Sequence, residues 1–491
     1  MCTEVSENYL SARDEFKEII ETYILPLFDV RSNKGDICHK KFSNKELIEI
    51  SVDKKDNNKE YLFFYSAVYS NKKAHFCYSI VSYNSKSIVK RARTILNELL
   101  KIAEYNYITY TRQRSYGKSL VRQASYKERS MNLAFELGLC RGLTKTEENA
   151  FVLHTVICHM VNWASRTYEG KNIPFGIVID FDKTSNDSKA DYLKFLNNDS
   201  SAVFTDGVFS GILLDCAGHI LSFLSRNTRP SCCKIKSQKD PFVPFQFLDL
   251  AYHCSGSSIG VIAMTNGEII IIKDRSICYA KRGNKWVVFD WQRVYCKLRP
   301  YFLSDNSAEI KESDCEAKIR QNIKELYCTL LDVSFAHTGG CIAIILKEKE
   351  NQLADTINER IDLYETDTQD NKMLLSISEE SKEKIEILSY LLKYPNTRIN
   401  SFFNIDKVLR KEILGLDGAT VVSLDGSFYC AGSIVSVEAG SSGGGRTAAA
   451  KKLARYGVGI KISEDGYIEA YGCNIHNKEL VNNIECLFTF R

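Results

Sequence analysis

The chain has 491 residues, a formal net charge of +4, 44% hydrophobic residues and 26% charged residues. That length has room for roughly two to four domains, and the apolar fraction is enough to bury a proper core. A charge of +4 is only mildly basic and does not by itself imply a nucleic-acid partner.

No apolar run approaches the ~20 residues that a membrane helix needs, so no membrane span is expected. The first residues, Met1-Cys2-Thr3-Glu4, lack both a basic and an apolar signal region, so no secretory leader is expected. The 17 cysteines are odd in number and contain no CxxC pair, which favours reduced thiols and a cytoplasmic location. Seven prolines argue against long Pro-rich linkers.

In chain order, residues 8–29 have apolar spacing suited to a helix. Strand-like runs follow at Tyr61–Tyr69 and His75–Ser82, then a helix over Ser87–Tyr105. A basic, tyrosine-bearing stretch runs from Tyr110 to Lys118. A long apolar helix is expected over Glu147–Trp163, a β-branched strand over Ile173–Asp180 and a hairpin over Gly211–Phe223. Residues 1–228 read as one α/β domain, with a boundary near Thr228-Arg229-Pro230.

Short strands are expected at Ile259–Ala263, Glu268–Lys273, Ser276–Ala280 and Lys285–Phe289, with turns at Asn266-Gly267 and Gly283-Asn284. They suggest a separate antiparallel meander over 229–305. A helix then carries Ile319, Ile323, Leu326, Tyr327 and Leu330 at helical spacing. Gly339-Gly340 leads into a buried strand, Cys341–Leu346. Past a charged region come helices at Ser381–Leu392 and Ile405–Ile413. Strands follow at Thr420–Ser423, Ser427–Ala431, Gly457–Ile462 and Tyr467–Tyr471. Residues 306–491 form the last domain, and the chain as a whole reads as multidomain α/β (α+β).

Three pieces of that last domain carry chemistry. Gly443-Gly444-Gly445 precedes Arg446-Thr447-Ala448-Ala449-Ala450-Lys451-Lys452-Leu453, a strong helix-forming run. Glycines admit an anion close to the backbone, the helix start offers N–H groups, and Arg446 can fork onto phosphate oxygens. Asp417-Gly418-Ala419 opens a strand with an unobstructed carboxylate, and Ser463-Glu464 sits in a hairpin turn. Mg²⁺ takes one or two carboxylates plus phosphate oxygens, which suits such a set. Taken singly, each piece is also what an ordinary turn looks like.

In that order, the pieces resemble the diadenylate cyclase (DAC) domain, the nucleotidyltransferase domain of the bacterial DNA-integrity scanning protein and its relatives. The resemblance covers about 319–472, roughly a third of the chain, and extends to DAC-like proteins of bacterial conflict systems. Asp417, Gly418 and Ala419 match the family's Asp-Gly-Ala, and Ser463 and Glu464 match its Ser-Glu turn. Of the Arg-His-Arg motif, Arg446 and the Ala-Ala after it are kept, while the His and second Arg are replaced.

The resemblance implies a C-terminal mixed sheet flanked by helices and joining of nucleoside triphosphates into a cyclic or linear di- or oligonucleotide signal, in bacterial antiviral defence. It gives catalytic roles to Asp417 and Arg446, and Mg²⁺ or Mn²⁺ on Asp417 and Glu464. The nucleotide would lie on Gly418, Ala419, Gly443, Gly444, Gly445, Arg446 and Thr447. It also implies a homo-oligomer and an effector protein that binds the nucleotide product. Lys451, Lys452 and Arg455 stand near enough in sequence to replace the lost cations.

Two other functions stay open: a catalytically inactive nucleotide sensor, and direct nucleic-acid binding through the basic stretch around Arg112–Arg129. His154 and Cys158, four apart on one helix, are a metal-ligand spacing but also ordinary core spacing. Asp180-Phe181-Asp182 follows a buried strand and reads as a strand-end loop. His337-Thr338-Gly339-Gly340 either approaches the nucleotide or ends a helix with Gly at the cap. No Walker A sequence is present.

Overall fold

A computed structural model of the chain describes residues 19, 22–23, 37–42, 45–51, 61–66, 93–101, 120–164, 167–168, 171–172, 175–182, 210–215, 220–224, 241–283, 285–304, 312–352, 401–435, 444–473 and 484–490. The expected helix over Ser381–Leu392, the strand at His75–Ser82 and most of the 8–29 helix lie outside these. The chain is α+β, with helices and two large mixed sheets. Residue contacts divide it into two units. The first is Met1–Thr228, His253–Asp274 and Tyr279–Val288; the second is Arg229–Tyr252, Arg275–Cys278 and Phe289–Arg491.

In the first unit, β1 (Ile37–Phe42), β2 (Lys45–Ser51) and β3 (Tyr61–Ser66) form an antiparallel sheet. Helix α1 (Leu120–Leu143) is followed by α2 (Glu147–Ala164), and the two pack together. Strands β4 (Thr167–Tyr168) and β5 (Lys171–Asn172) form a small ribbon. After them come β6 (Phe175–Asp180), β7 (Ser210–Asp215) and β8 (Ile220–Leu224). Next are β9 (Ser258–Ala263), β10 (Ile269–Lys273), β11 (Ser276–Arg282) and β12 (Lys285–Val288).

All seven strands from β6 to β12 share one sheet, in the order β12-β11-β10-β9-β6-β7-β8. The meander expected to stand alone over 229–305 is therefore the continuation of a larger sheet, joined where β9 pairs antiparallel with β6. Its strands explain why: β9 is buried along its whole length, so neither face can be left to solvent. The stretch after it is also helical, α3 (Trp291–Leu303), started by Asp290, whose carboxylate accepts the Gln292 N–H at 3.0 Å.

The second unit continues with α4 (Glu312–Ala336), β13 (Gly340–Ile345), α5 (Lys407–Leu414), β14 (Ala419–Ser423) and β15 (Phe428–Ser433). Then follow α6 (Gly445–Leu453), β16 (Gly457–Ile462), β17 (Ile468–Cys473) and β18 (Ile484–Phe490). The sheet order is β15-β14-β13-β16-β17-β18. Strand β13 is parallel to β14 and antiparallel to β16.

Side chains alternate between the two faces of this sheet. Cys341, Ala343, Ile345, Ala419, Val421 and Cys430 pack with Ala450, Leu453 and Ala454 beneath α6. Gly459 lets that helix lie against the sheet, because a Cβ there would overlap the Ala450 carbonyl. On the other face a Cβ at Gly340 would meet Leu414 of α5 and Val333 of α4. There, too, α3 seats the buried Tyr301 hydroxyl, which donates to the Cys473 carbonyl at 2.6 Å. Helices on both faces bury a sheet whose central strands are almost wholly apolar.

Candidate functional site

The register of the second sheet gathers its chemistry at one end. Gly340, which starts β13, pairs with Ile462, which ends β16. The start of β14 lies beside the start of β13, because the two run parallel, and Ala419 pairs with Ser433 at the end of β15. The segments before β13, before β14, after β15 and after β16 therefore converge on the same edge. The N-terminus of α6 arrives there as well.

At this edge lies a cavity of about 600 Å³. Its walls include Asp417, Gly418 and Ala419, the helix start Gly444-Gly445-Arg446, and the turn Ser463-Glu464-Asp465. Cys341, Ser433, Ile434, Val435, Ala449 and Lys461 are the other described residues of the lining. A volume of this order holds a small organic ligand of nucleotide size. The wall made by Ile434, Val435 and Ala449 is apolar, whereas the turn and helix ends are charged.

Each carboxylate and cation has a local reason for its place. Gly418 adopts φ +109°, and a Cβ there would come within 2.5 Å of the Gly432 backbone. A glycine is therefore needed for β15 to approach the Asp417 loop. The helix α6 is capped by Gly444, which has φ +81° and brings no side-chain oxygen to the first amides. Among the described residues, nothing lies within 4 Å of where a Cβ at Gly444 or Gly445 would sit, which leaves the first amides of α6 uncovered by them. Open amides and the helix dipole favour an anion there.

Arg446 Nη1 donates to Glu464 Oε1 at 2.8 Å. The Arg446 side chain is 31% exposed and that of Glu464 70%, so the pair is worth no more than about 1 kcal/mol. A phosphate that accepts a bidentate fork from Arg446 is worth more, roughly 1.5–3 kcal/mol, and can displace Glu464. The turn bearing Glu464 is fixed from behind, since His337 Nδ1 donates to the Glu464 carbonyl at 2.8 Å. His337 ends α4 with φ +55°, a left-handed conformation that is uncommon for a residue with a Cβ. Of the two readings of His337-Thr338-Gly339-Gly340, the helix-ending turn is present, with His337 at the left-handed position and Gly339 following with φ +69°.

Of the residues marked by sequence, Asp417, Gly418, Ala419, Gly444, Gly445, Arg446 and Glu464 all line this one cavity. Gly443 lies outside the described residues. Thr447 is 5% exposed and is not among the described residues that line the cavity. Lys451, Lys452 and Arg455 do not line it; Lys451 instead places its ammonium over the Tyr471 ring at 5.3 Å. The basic residues 112–119 lie outside the described residues.

Sequence reasoning missed Lys461 and Ser433. Ser433 is fully buried, and its hydroxyl has no hydrogen-bond partner among the described residues. Nothing in a strand sequence ending Ala431-Gly432-Ser433 announces that.

The carboxylates that could hold a divalent cation here are those of Asp417 and Glu464, which line the cavity together with Ser463 and Asp465. Among the described residues, no group of three or more His, Cys, Asp or Glu side chains is placed to enclose a metal. Two carboxylates at an open anion site suit Mg²⁺ or Mn²⁺ completed by phosphate oxygens, the usual arrangement for a substrate-borne hard cation.

Elsewhere, His154 Nε2 lies 3.5 Å from Glu136 Oε2, and Cys158 Sγ is 3.8 Å from the same nitrogen. Glu136 also accepts from Lys281 and from Trp286 Nε1, so His154 belongs to a half-buried polar cluster of the first unit. Asp180 accepts the Asp182 N–H at 3.2 Å and the Ser257 hydroxyl at 3.3 Å, closing a strand-end turn. No described helix is long and apolar enough to cross a membrane. No protein-family model matches the chain, and no curated protein matches it in sequence.

Proposed function

We propose that the second unit binds a nucleoside triphosphate and is a metal-dependent nucleotidyltransferase domain of DAC-like type. One observation carries this reading: a single cavity brings together Asp417, the open start of α6 with Arg446, and Glu464. Those groups lie far apart in sequence and match the motif residues of that family.

In this reading the base and ribose lie along Ile434, Val435 and Ala449, and the phosphates lie at the helix start. The amides of Gly445 and Arg446 and the Arg446 guanidinium stabilise charge on the phosphoryl oxygens. Phosphoryl transfer depends mostly on such positioning and charge stabilisation. Mg²⁺ or Mn²⁺ held by Asp417 and Glu464 would neutralise phosphate charge when bound. A ribose hydroxyl of a second nucleotide attacks the α-phosphorus and a new P–O bond forms. The bond to pyrophosphate breaks, and the hydroxyl proton passes to water. A cavity of about 600 Å³ holds one nucleotide, so the second comes from a facing copy of the chain. The product signal would act through a separate effector protein, in antiviral defence.

The test is to incubate the protein with each ribo- and deoxynucleoside triphosphate and Mg²⁺ or Mn²⁺, and to resolve products by mass spectrometry. A phosphodiester product that disappears in Asp417→Asn supports the reading. The same product yield from Asp417→Asn overturns it.

A second reading, a nucleotide sensor without turnover, is favoured by Thr447. The position after Arg446 is buried, and Arg446 is the one arginine among the described residues of the cavity. Nucleotide binding lost in Arg446→Ala, with no pyrophosphate released by the unaltered protein, is its signature.

A further inference from the structure

Resting on the reading of this cavity as a triphosphate site, we propose that Lys461 is its second phosphate-binding cation. It would replace the positive charge that the α6 loop lacks after Arg446.

Lys461 lines the cavity on the sheet side, opposite the start of α6. Its place is set by register. It pairs with Cys341 of β13 and with Glu469 of β17, so all three side chains stand on the α6 face of the sheet. Its neighbours along β16, Ile460 and Ile462, are fully buried on the other face. A lysine one residue from the end of so apolar a strand is costly unless its ammonium is met.

The structure meets it with a buried carboxylate. Glu469 is only 3% exposed and accepts the Tyr471 hydroxyl at 2.7 Å. Lys461 Nζ lies 3.9 Å from Glu469 Oε2, at the outer limit of an ion pair. The buried Glu469 carboxylate thus lies within ion-pair range of the ammonium of a lysine that lines the cavity. The Lys461 side chain is 19% exposed, enough for a ligand in the cavity to reach it.

The charge of the lining points the same way. Among the described lining residues, the carboxylates Asp417, Glu464 and Asp465 outnumber the cations Arg446 and Lys461. A polyanion entering there needs both cations, even with a divalent ion on the carboxylates.

The experiment is calorimetric titration of the full chain with inorganic tripolyphosphate, at several salt concentrations, alongside the same titration with an unphosphorylated nucleoside. Lys461→Met should weaken tripolyphosphate binding tenfold or more and flatten its salt dependence. Nucleoside binding should stay within about twofold. Lys461→Arg should restore most of the affinity, because a guanidinium keeps the charge. The double variant Lys461→Met with Glu469→Gln, which strands no buried carboxylate, should show the same loss if the single variant fails to fold. If the unaltered protein binds tripolyphosphate and the folded variants bind it equally well, Lys461 is structural and the inference is wrong. If the unaltered protein binds no tripolyphosphate, the phosphate site itself is wrong and the inference falls with it.

Discussion

Gly339 stands so close to Arg446 that a Cβ in its place would lie 2.5 Å from Arg446 Nη1 and 3.2 Å from Glu464 Cγ. The residue before β13 and the first arginine of α6, more than a hundred positions apart, therefore share one contact surface. Gly339→Ala carries two penalties, a strained φ of +69° and a methyl pressed against the guanidinium. It should cost at least about 1 kcal/mol of stability. It should also reduce nucleotide binding by displacing Arg446. Denaturant melts and nucleotide titration of the same preparation separate the two effects.

Arg446→Ala should weaken triphosphate binding roughly 10- to 150-fold, the equivalent of one charge-assisted contact of about 1.5–3 kcal/mol. Stability should hardly change, since the Arg446–Glu464 pair is largely solvated. An unaltered affinity would remove Arg446 from the site.

Asp332 gives the second unit a pH-dependent stability. Burial lifts its carboxyl to about 6, against the opposing effects of the Phe245 N–H and of Lys407, Arg410 and Lys411. The folded protein therefore holds this proton more tightly than the unfolded chain does. The contribution is complete below about pH 4 and is lost as pH rises through about 6, a change on the order of 3 kcal/mol. Asp332→Asn keeps the acceptor for Phe245 N–H and should flatten stability between pH 4 and 7 in urea melts. A slope that survives the substitution would assign it to another group.

Glu136 in the first unit behaves oppositely. Burial opposes its charge, but hydrogen bonds from His154, Lys281 and Trp286 and the Lys281 charge outweigh it and lower the carboxyl to about 2. Its contribution is present above about pH 4.5 and is lost as pH falls toward 2. Lys281→Met removes its main cation and should destabilise by about 1–3 kcal/mol at neutral pH. Trp286 fluorescence during unfolding reports on the same cluster.

Much of the second sheet was legible in its sequence. Gly457–Ile462 was expected and found with identical bounds, and the strands starting near Thr420 and Ser427 shifted by only one or two residues at either end. Turn chemistry at Asp425-Gly426 and Asp465-Gly466 set those limits, both glycines taking positive φ. Helix α3 was hidden by its neighbours: it follows four hairpin-connected strands directly, and Pro300 lies inside it. Strand β18 was missed because residues 484–486 carry little of its burial, which is concentrated in Leu487–Phe490. Motif residues that act through charge and backbone freedom, such as Asp417 and the Gly444-Gly445-Arg446 start, could be marked from their own segment. Lys461 could not, because its role comes from which strands flank β16 and which face the pairing assigns to it.

The antiparallel pairing of β13 with β16 also sets how the gene can change. One residue inserted within Gly457–Ile462 would turn Lys461 toward α4 and carry Glu464 about 3.3 Å along the strand axis, away from His337 and Arg446. Every cavity residue would survive unchanged in identity, yet the cavity would be dismantled. A residue inserted in the turn between β14 and β15, far from the cavity edge, leaves these relations intact. Length variation should therefore be purged between Gly457 and Ile462.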